Sequence, residues 1–167
     1  MIIGIGGVSR SGKTTLAKLL QDQLGEKNVK IISQDDFALD KAELPTFHGM
    51  TDWEHPNGIN FDSLRKTVLQ ESKKYPYLIT EGFLIYHDDE LRSLIDFKIF
   101  IDINEATFLN RKMKDDRWGK TPIIYVSHIW DSYLKYGKIS DQGIDLKLDG
   151  TKPFDGTIII SEIIKSE

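Results

Sequence analysis

Gly7, Gly12, Lys13 and Thr14 stand at the spacing G-x-x-x-x-G-K-[ST] within GVSRSGKT, residues 7–14. Residues of these types at this spacing handle phosphate. Glycines let the chain wrap tightly, so that successive backbone N–H groups, those of Val8, Ser9, Arg10 and Ser11 among them, converge on phosphate oxygens. Lys13 would neutralise charge on the β- and γ-phosphates of ATP, and the Thr14 hydroxyl would ligate Mg²⁺. A helix opening near Lys13 adds unpaired N–H groups and the positive end of its dipole to the same anion. The run from Gly7 through Thr15 is therefore the expected ATP-binding segment. A glycine-rich loop can match this pattern by chance. Here, however, the apolar run Ile2–Gly6 precedes it, and Leu16, Leu19, Leu20 and Leu24 come after it on one helical face, as the motif demands.

Two further groups of carboxylates follow apolar runs. Ile32-Ser33-Gln34-Asp35-Asp36-Phe37 places two acids after a second strand, where open α/β sheets bind ligands. An Asp beside the γ-phosphate can accept the proton of an attacking hydroxyl and help organise magnesium, and Asp35 is assigned that part over a turn-capping one. Tyr77-Leu78-Ile79-Thr80-Glu81-Gly82 ends a third strand in an acid that can hold magnesium directly or through water. Gly82 suggests a tight turn near ligand. The N-K-x-D guanine motif of GTPases is absent from the sequence.

The elements that must position these residues alternate short β-branched runs with helical periodicity, which predicts an α/β fold with a mainly parallel sheet. Strands are expected at Ile2–Gly6, Val29–Ser33, Tyr77–Thr80 and Phe97–Ile103, with Ile144–Leu148 a weaker fifth. One helix carries Phe61, Leu64, Val68 and Leu69 inward behind an Asn60 N-cap. Another starts at Thr121-Pro122, turns Ile129, Trp130, Tyr133 and Leu134 inward, and ends near Gly137. The segment from Pro153 to Lys165 fits strand or helix, and helix is preferred. The 167 residues hold no cysteine, so disulfides, thiolate zinc sites and cysteine nucleophiles are excluded. A net charge of −4 disfavours a nucleic-acid partner, and no apolar run approaches membrane-spanning length. The opening apolar segment lacks a basic n-region and does not read as a signal peptide. His48, His55, His87 and His128 show no ligand spacing.

GVSRSGKTTLAK, ISQDDF, DWEHP, EGFLIY, WDSYLKY and LDGTKP occur in the order in which they stand in nicotinamide riboside kinases, and from about Ile2 to Pro153 the chain resembles that family. The family belongs to the uridine kinase-like branch of nucleoside kinases. The resemblance implies a P-loop NTPase three-layer α/β fold: a parallel five-stranded sheet with flanking helices and a lid at about 111–121, all in one kinase domain spanning 1–167. It implies transfer of the ATP γ-phosphate to the 5′-hydroxyl of a ribonucleoside; a cytoplasmic location fits the absence of cysteine, neither nucleic acid nor membrane is expected as partner, and the oligomeric state is open. Asp35 matches the catalytic base, Thr14 and Asp35 the magnesium-linked pair, and Trp53 with Glu54 an aromatic–acid pair that handles the nucleoside. Asp36 and Phe37 belong to the same substrate-binding group.

The family usually has Asp where Glu54 stands. A carboxylate there can accept hydrogen bonds from both hydroxyls of a ribose diol. The indole can stack on a flat base, more strongly if the base is a cationic pyridinium. Arg111 and Arg117 fall where the family has lid arginines, and Arg117 joins Asp35 and Lys13 as a catalytic candidate. The alternative is a solvated helix face shared with Lys112, Lys114 and Lys120. Lys152, after Asp149-Gly150-Thr151, would line the adenine end of the ATP site. Two other functions fit the same residues: phosphorylation of uridine or cytidine, and a non-catalytic ATP-binding regulatory module.

Overall fold

The computed structural model describes residues 1–116 and 119–166. Five parallel strands form its centre: β1 (Ile2–Gly7), β2 (Val29–Ser33), β5 (Tyr77–Gly82), β6 (Phe97–Asp102) and β7 (Leu146–Asp149), in the order β2-β5-β1-β6-β7. Strands β3 (Thr46–Phe47) and β4 (Met50–Thr51) form a separate antiparallel hairpin. β1 is buried along its whole length, as a continuous apolar run in a doubly covered parallel sheet must be.

Helices cover both faces. α1 (Lys13–Leu24) and α6 (Gly156–Lys165) bury Leu16, Leu20, Ile159 and Ile163 against one side. The other side receives α2 (Phe61–Glu71), α3 (Asp89–Leu94), α4 (Glu105–Met113) and α5 (Ile123–Ser132), through Leu64, Leu91, Phe108 and Ile129. The result is the three-layer α/β arrangement expected of the sequence.

Strand register positions the site. Ile5 of β1 and Ser33 of β2 both pair with Glu81 of β5. The chain therefore leaves three neighbouring strands at nearly the same level, and the loops at their C-terminal ends meet at one edge of the sheet.

The ambiguous C-terminal segment is helical. The Asp155 carboxylate accepts from the N–H groups of Thr157 and Ile158, and the isoleucines then alternate with helical period, Ile159 and Ile163 inward and Ile158 and Ile164 outward. The Asn60 side chain caps α2 by accepting from Ser63 N–H at 2.9 Å. Two inward assignments fail. Leu69 is 43% exposed, at the edge of the α2 stripe. Leu134 is 48% exposed, because α5 passes into a π-helical turn over Tyr133–Gly137 that rotates the face. Among the described residues no helix is long and apolar enough to cross a membrane.

Candidate active site

The loop between β1 and α1 has the backbone that its glycines allow. Gly7 has φ 149°, and a Cβ there would lie 2.5 Å from the Ile101 carbonyl oxygen. Gly12 has φ 111° and takes the N-cap position of α1, with no side-chain cap. Arg10 is also left-handed, at φ 66°, a conformation costly for a residue with a Cβ and concentrated at functional loops. Because α1 has neither a cap nor an acid in its first turn, its leading N–H groups remain available to an anion. Ser11 is buried and its N–H is spent within the loop, on the Val8 carbonyl at 3.1 Å. Ser9 is half-buried and Thr15 exposed, on the outer side of the first turn.

Lys13 and Thr14 point into the same cleft. Lys13 Nζ donates to the Val8 carbonyl at 3.1 Å, and Thr14 Oγ1 donates to Glu81 Oε1 at 2.9 Å. Burial lowers the Lys13 pKa, and the carboxylates of Glu81, Asp35 and Glu54 oppose that shift. The charges of these three acids thus act on one ammonium. Glu81 itself is buried. The Gly82 expectation needs correction: Gly82 continues β5, and its missing side chain makes room for Gln34, whose Cβ would lie 2.5 Å from a Cβ at 82. Gln34 Oε1 then accepts from Leu84 N–H at 2.8 Å and fixes the turn after β2.

That turn is a 3₁₀ helix over Gln34–Phe37, with the Ser33 hydroxyl facing Asp35 N–H at 3.4 Å. Asp35 and Asp36 are exposed, and Phe37 leans on the core. Trp53 is 48% exposed, so it does not serve as a core aromatic. Glu54 is half-buried. Burial raises its pKa to about 7, with Asp35 and Asp52 adding to the rise and Lys112 and Lys13 opposing it.

Arg111 is not part of a solvated face. Its guanidinium donates to the Arg10 carbonyl at 3.0 Å and to the Gly150 carbonyl at 2.8 Å, tying the phosphate loop to the turn after β7. Lys152 lies on that turn, 76% exposed at its side chain and paired with Asp149 at 3.3 Å. Arg117 lies outside the described residues. Lys112, paired with Asp115 at 3.9 Å, is a further candidate that sequence reasoning does not single out. Its side chain is 13% exposed and its charge acts on Glu54, and the spacing from Phe108, four residues earlier, is the available signal that it faces inward. Asp52, Tyr125 and His128 escape sequence reasoning too, because only the folded chain brings them beside Trp53.

For Mg²⁺ the donors present are hard oxygens: the Thr14 hydroxyl, Glu81 bonded to it, and Asp35, whose charge acts on Lys13. Among the described residues no three acidic, imidazole or thiol side chains converge on one point. Hard oxygens of this kind suit an ion that takes one or two protein oxygens and leaves its other positions to phosphates and water.

Glu54 yields a pH prediction. Its folded pKa of about 7 exceeds the ordinary 4.5, so between those values the folded state holds more protons than the unfolded state. Ionising Glu54 therefore erodes stability as pH rises from about 4.5 towards 7, and the loss is complete above that window. After discounting for partial exposure, Glu54→Gln is expected to melt about 2–6 °C above the wild type at pH 8. The two proteins should converge towards pH 4.5, as read by differential scanning calorimetry.

The chain is 35% identical to human nicotinamide riboside kinase 1, over 90% of its own length and 84% of the relative's. The mouse nicotinamide riboside kinase 1 is 30% identical over 90% of the chain and 86% of the relative. Uridine kinase of Deinococcus deserti is 25% identical over 81% of the chain and 76% of the relative. Among solved structures, a possible uridine kinase from Bacillus stearothermophilus superposes with TM-score 0.61 at 19% identity, covering 89% of this chain and 88% of that one. Shikimate kinase from Aquifex aeolicus superposes with TM-score 0.55 at 24% identity, covering 99% and 95%. These structures share the P-loop α/β fold. No protein-family model matches the chain.

Proposed function

Because the chain belongs to the nicotinamide riboside kinase family, within the uridine kinase-like group of P-loop nucleoside kinases, we propose that it transfers the ATP γ-phosphate to the ribose 5′-hydroxyl of nicotinamide riboside. The observation that carries the reading is that Thr14 of the phosphate loop donates to Glu81 at the end of β5, beside Lys13, on whose ammonium the charges of Glu81, Asp35 and Glu54 all act. Phosphate-binding, proton-accepting and sugar-binding groups thereby share one cleft.

In this mechanism the remaining loop N–H groups, with that of Ser11 kept on the Val8 carbonyl, and the start of α1 hold the triphosphate, and Lys13 leaves the Val8 carbonyl for the β- and γ-phosphates. Asp35 orients the 5′-hydroxyl and accepts its proton as the hydroxyl oxygen attacks phosphorus. The Glu54 carboxylate holds the ribose diol, and the open face of Trp53 stacks on the base. Mg²⁺, held by Thr14 with Glu81 and Asp35, would neutralise charge on the transferring phosphoryl group. Arg111 braces the adenine-side turn at Gly150, with Lys152 at its rim, and Arg117 is the candidate for transition-state charge. A cytoplasmic setting, with its supply of ATP, suits this chemistry.

The test is a panel of nicotinamide riboside, uridine and cytidine with ATP and Mg²⁺, following ADP release. Turnover is expected to be greatest on nicotinamide riboside. Equal or faster turnover of the pyrimidine nucleosides would reassign the substrate. ATP binding without ADP release on any of the three would reject catalysis.

A further inference from the structure

We propose that Asp52, Tyr125 and His128 form a latch that positions Trp53 and Glu54 for the acceptor; the inference rests on the nucleoside reading above. Asp52 is 5% exposed, and its Oδ1 accepts from two donors: His128 Nε2 at 2.9 Å and the Glu54 backbone N–H at 3.1 Å. An Nε2–H is available in either charge state of the ring, so the bond does not require a protonated histidine. The Trp53 backbone N–H donates to the Tyr125 hydroxyl at 2.9 Å. Both N–H groups of the recognition pair are therefore fixed from α5, one directly and one through Asp52.

The anchor is rigid at each end. Phe47 of the β3–β4 hairpin stacks on the His128 ring with centroids 3.8 Å apart and planes 10° from parallel. Asp52 N–H donates to the Pro45 carbonyl at 2.8 Å, which ties the latch to the other side of the hairpin. Tyr125 and His128 lie three residues apart on one face of a helix that buries Val126 and Ile129 in the core. Trp53, by contrast, is 48% exposed, so about half of its surface has no protein neighbour to hold it in place. Its position depends on its backbone, and its backbone depends on the latch. Without the latch the cost of ordering residues 52–54 falls on nucleoside binding, while the phosphate loop is untouched.

The test uses the full chain with Tyr125→Phe, His128→Ala, Asp52→Ala and Asp52→Asn, and has two arms. In the first, without substrate, amide hydrogen exchange at Trp53 and Glu54 is expected to quicken in Tyr125→Phe and His128→Ala. In the second, KM for the best nucleoside of the panel is expected to rise about tenfold, with kcat and the KM for ATP within about twofold of the wild type. Asp52→Asn keeps an acceptor oxygen for both donors and is expected to restore most of what Asp52→Ala loses. His128→Ala added to Asp52→Ala should cost less than the two single losses summed, because the His128–Asp52 bond is shared by both while the Phe47 stack and the Glu54 N–H bond are not. Parallel rises in both KM values, or no difference between Asp52→Asn and Asp52→Ala, would reduce the three residues to general structural support and overturn the latch. If no nucleoside is turned over, the exchange arm still decides: unchanged exchange rejects the latch, and faster exchange upholds it while only the nucleoside reading falls.

Discussion

Asp35→Asn is expected to lower kcat about a thousandfold while leaving ATP affinity within a few-fold of the wild type. Asparagine keeps the shape of the side chain and loses the ability to take a proton. The 3₁₀ turn that presents the residue is set by the Ser33 hydroxyl, by Gln34 packed under Gly82 and by Phe37 against the core, and none of these requires a carboxylate at 35. Asp35 is exposed, so folding should be unaffected. The measurement is single-turnover phosphoryl transfer at saturating ATP, with a melting curve as control. Near-normal turnover of a folded Asp35→Asn protein would remove Asp35 from the role of base. Loss of ATP affinity in step with turnover would make it a magnesium ligand first and a base second.

Lys13→Ala should be still more severe for ATP and harmless to the fold. The ammonium is the positive group at the phosphate end of the cleft, and its loss is expected to reduce kcat/KM by about a thousandfold or more. Stability should move in the opposite direction. Burial lowers the Lys13 pKa, so the folded state disfavours the charged form, and at neutral pH that desolvation cost disappears with the side chain. Glu81, Asp35 and Glu54 would then lose a favourable charge, which offsets part of the gain. The expected outcome is a melting temperature equal to or above that of the wild type, together with loss of the upward shift that ATP gives the wild-type protein. A markedly less stable Lys13→Ala protein would mean that the ammonium holds the cleft together through Val8 and the acids, and that its placement is structural.

The effect at Glu54 differs in kind. A carboxylate that costs stability when ionised contributes nothing to folding at neutral pH, which accords with the binding role proposed for it. The same titration should weaken nucleoside binding as pH falls through about 7, since the neutral acid accepts hydrogen bonds from a diol less strongly.

Much of this arrangement is legible in the residue order. The glycine-loop spacing, the acids after the second and third apolar runs and the periodicity of Leu16, Leu20, Leu64 and Val68 are local signals, set by backbone freedom and by alternation of polarity along a few residues. They point to the phosphate loop, Asp35 and Glu81 and predict a parallel sheet of the observed strands. Leu134 defeats the helical pattern because a π-helical turn changes the phase of a helix without leaving a mark in composition. Gly82 misleads because a glycine required by a neighbouring side chain looks, in sequence, like one required by a turn.

Tertiary structure alone decides which distant groups share a charge environment. The sequence by itself determines that a phosphate loop opens the chain and that acids stand at strand ends. It does not determine that Lys112, 58 positions after Glu54, sits near that carboxylate, or that Tyr125 and His128 hold Asp52 and Trp53. Such pairings arise from the crossing of helices over the sheet, and the pKa of a carboxylate depends on how much water that crossing excludes. Neither is a property of any short stretch of sequence.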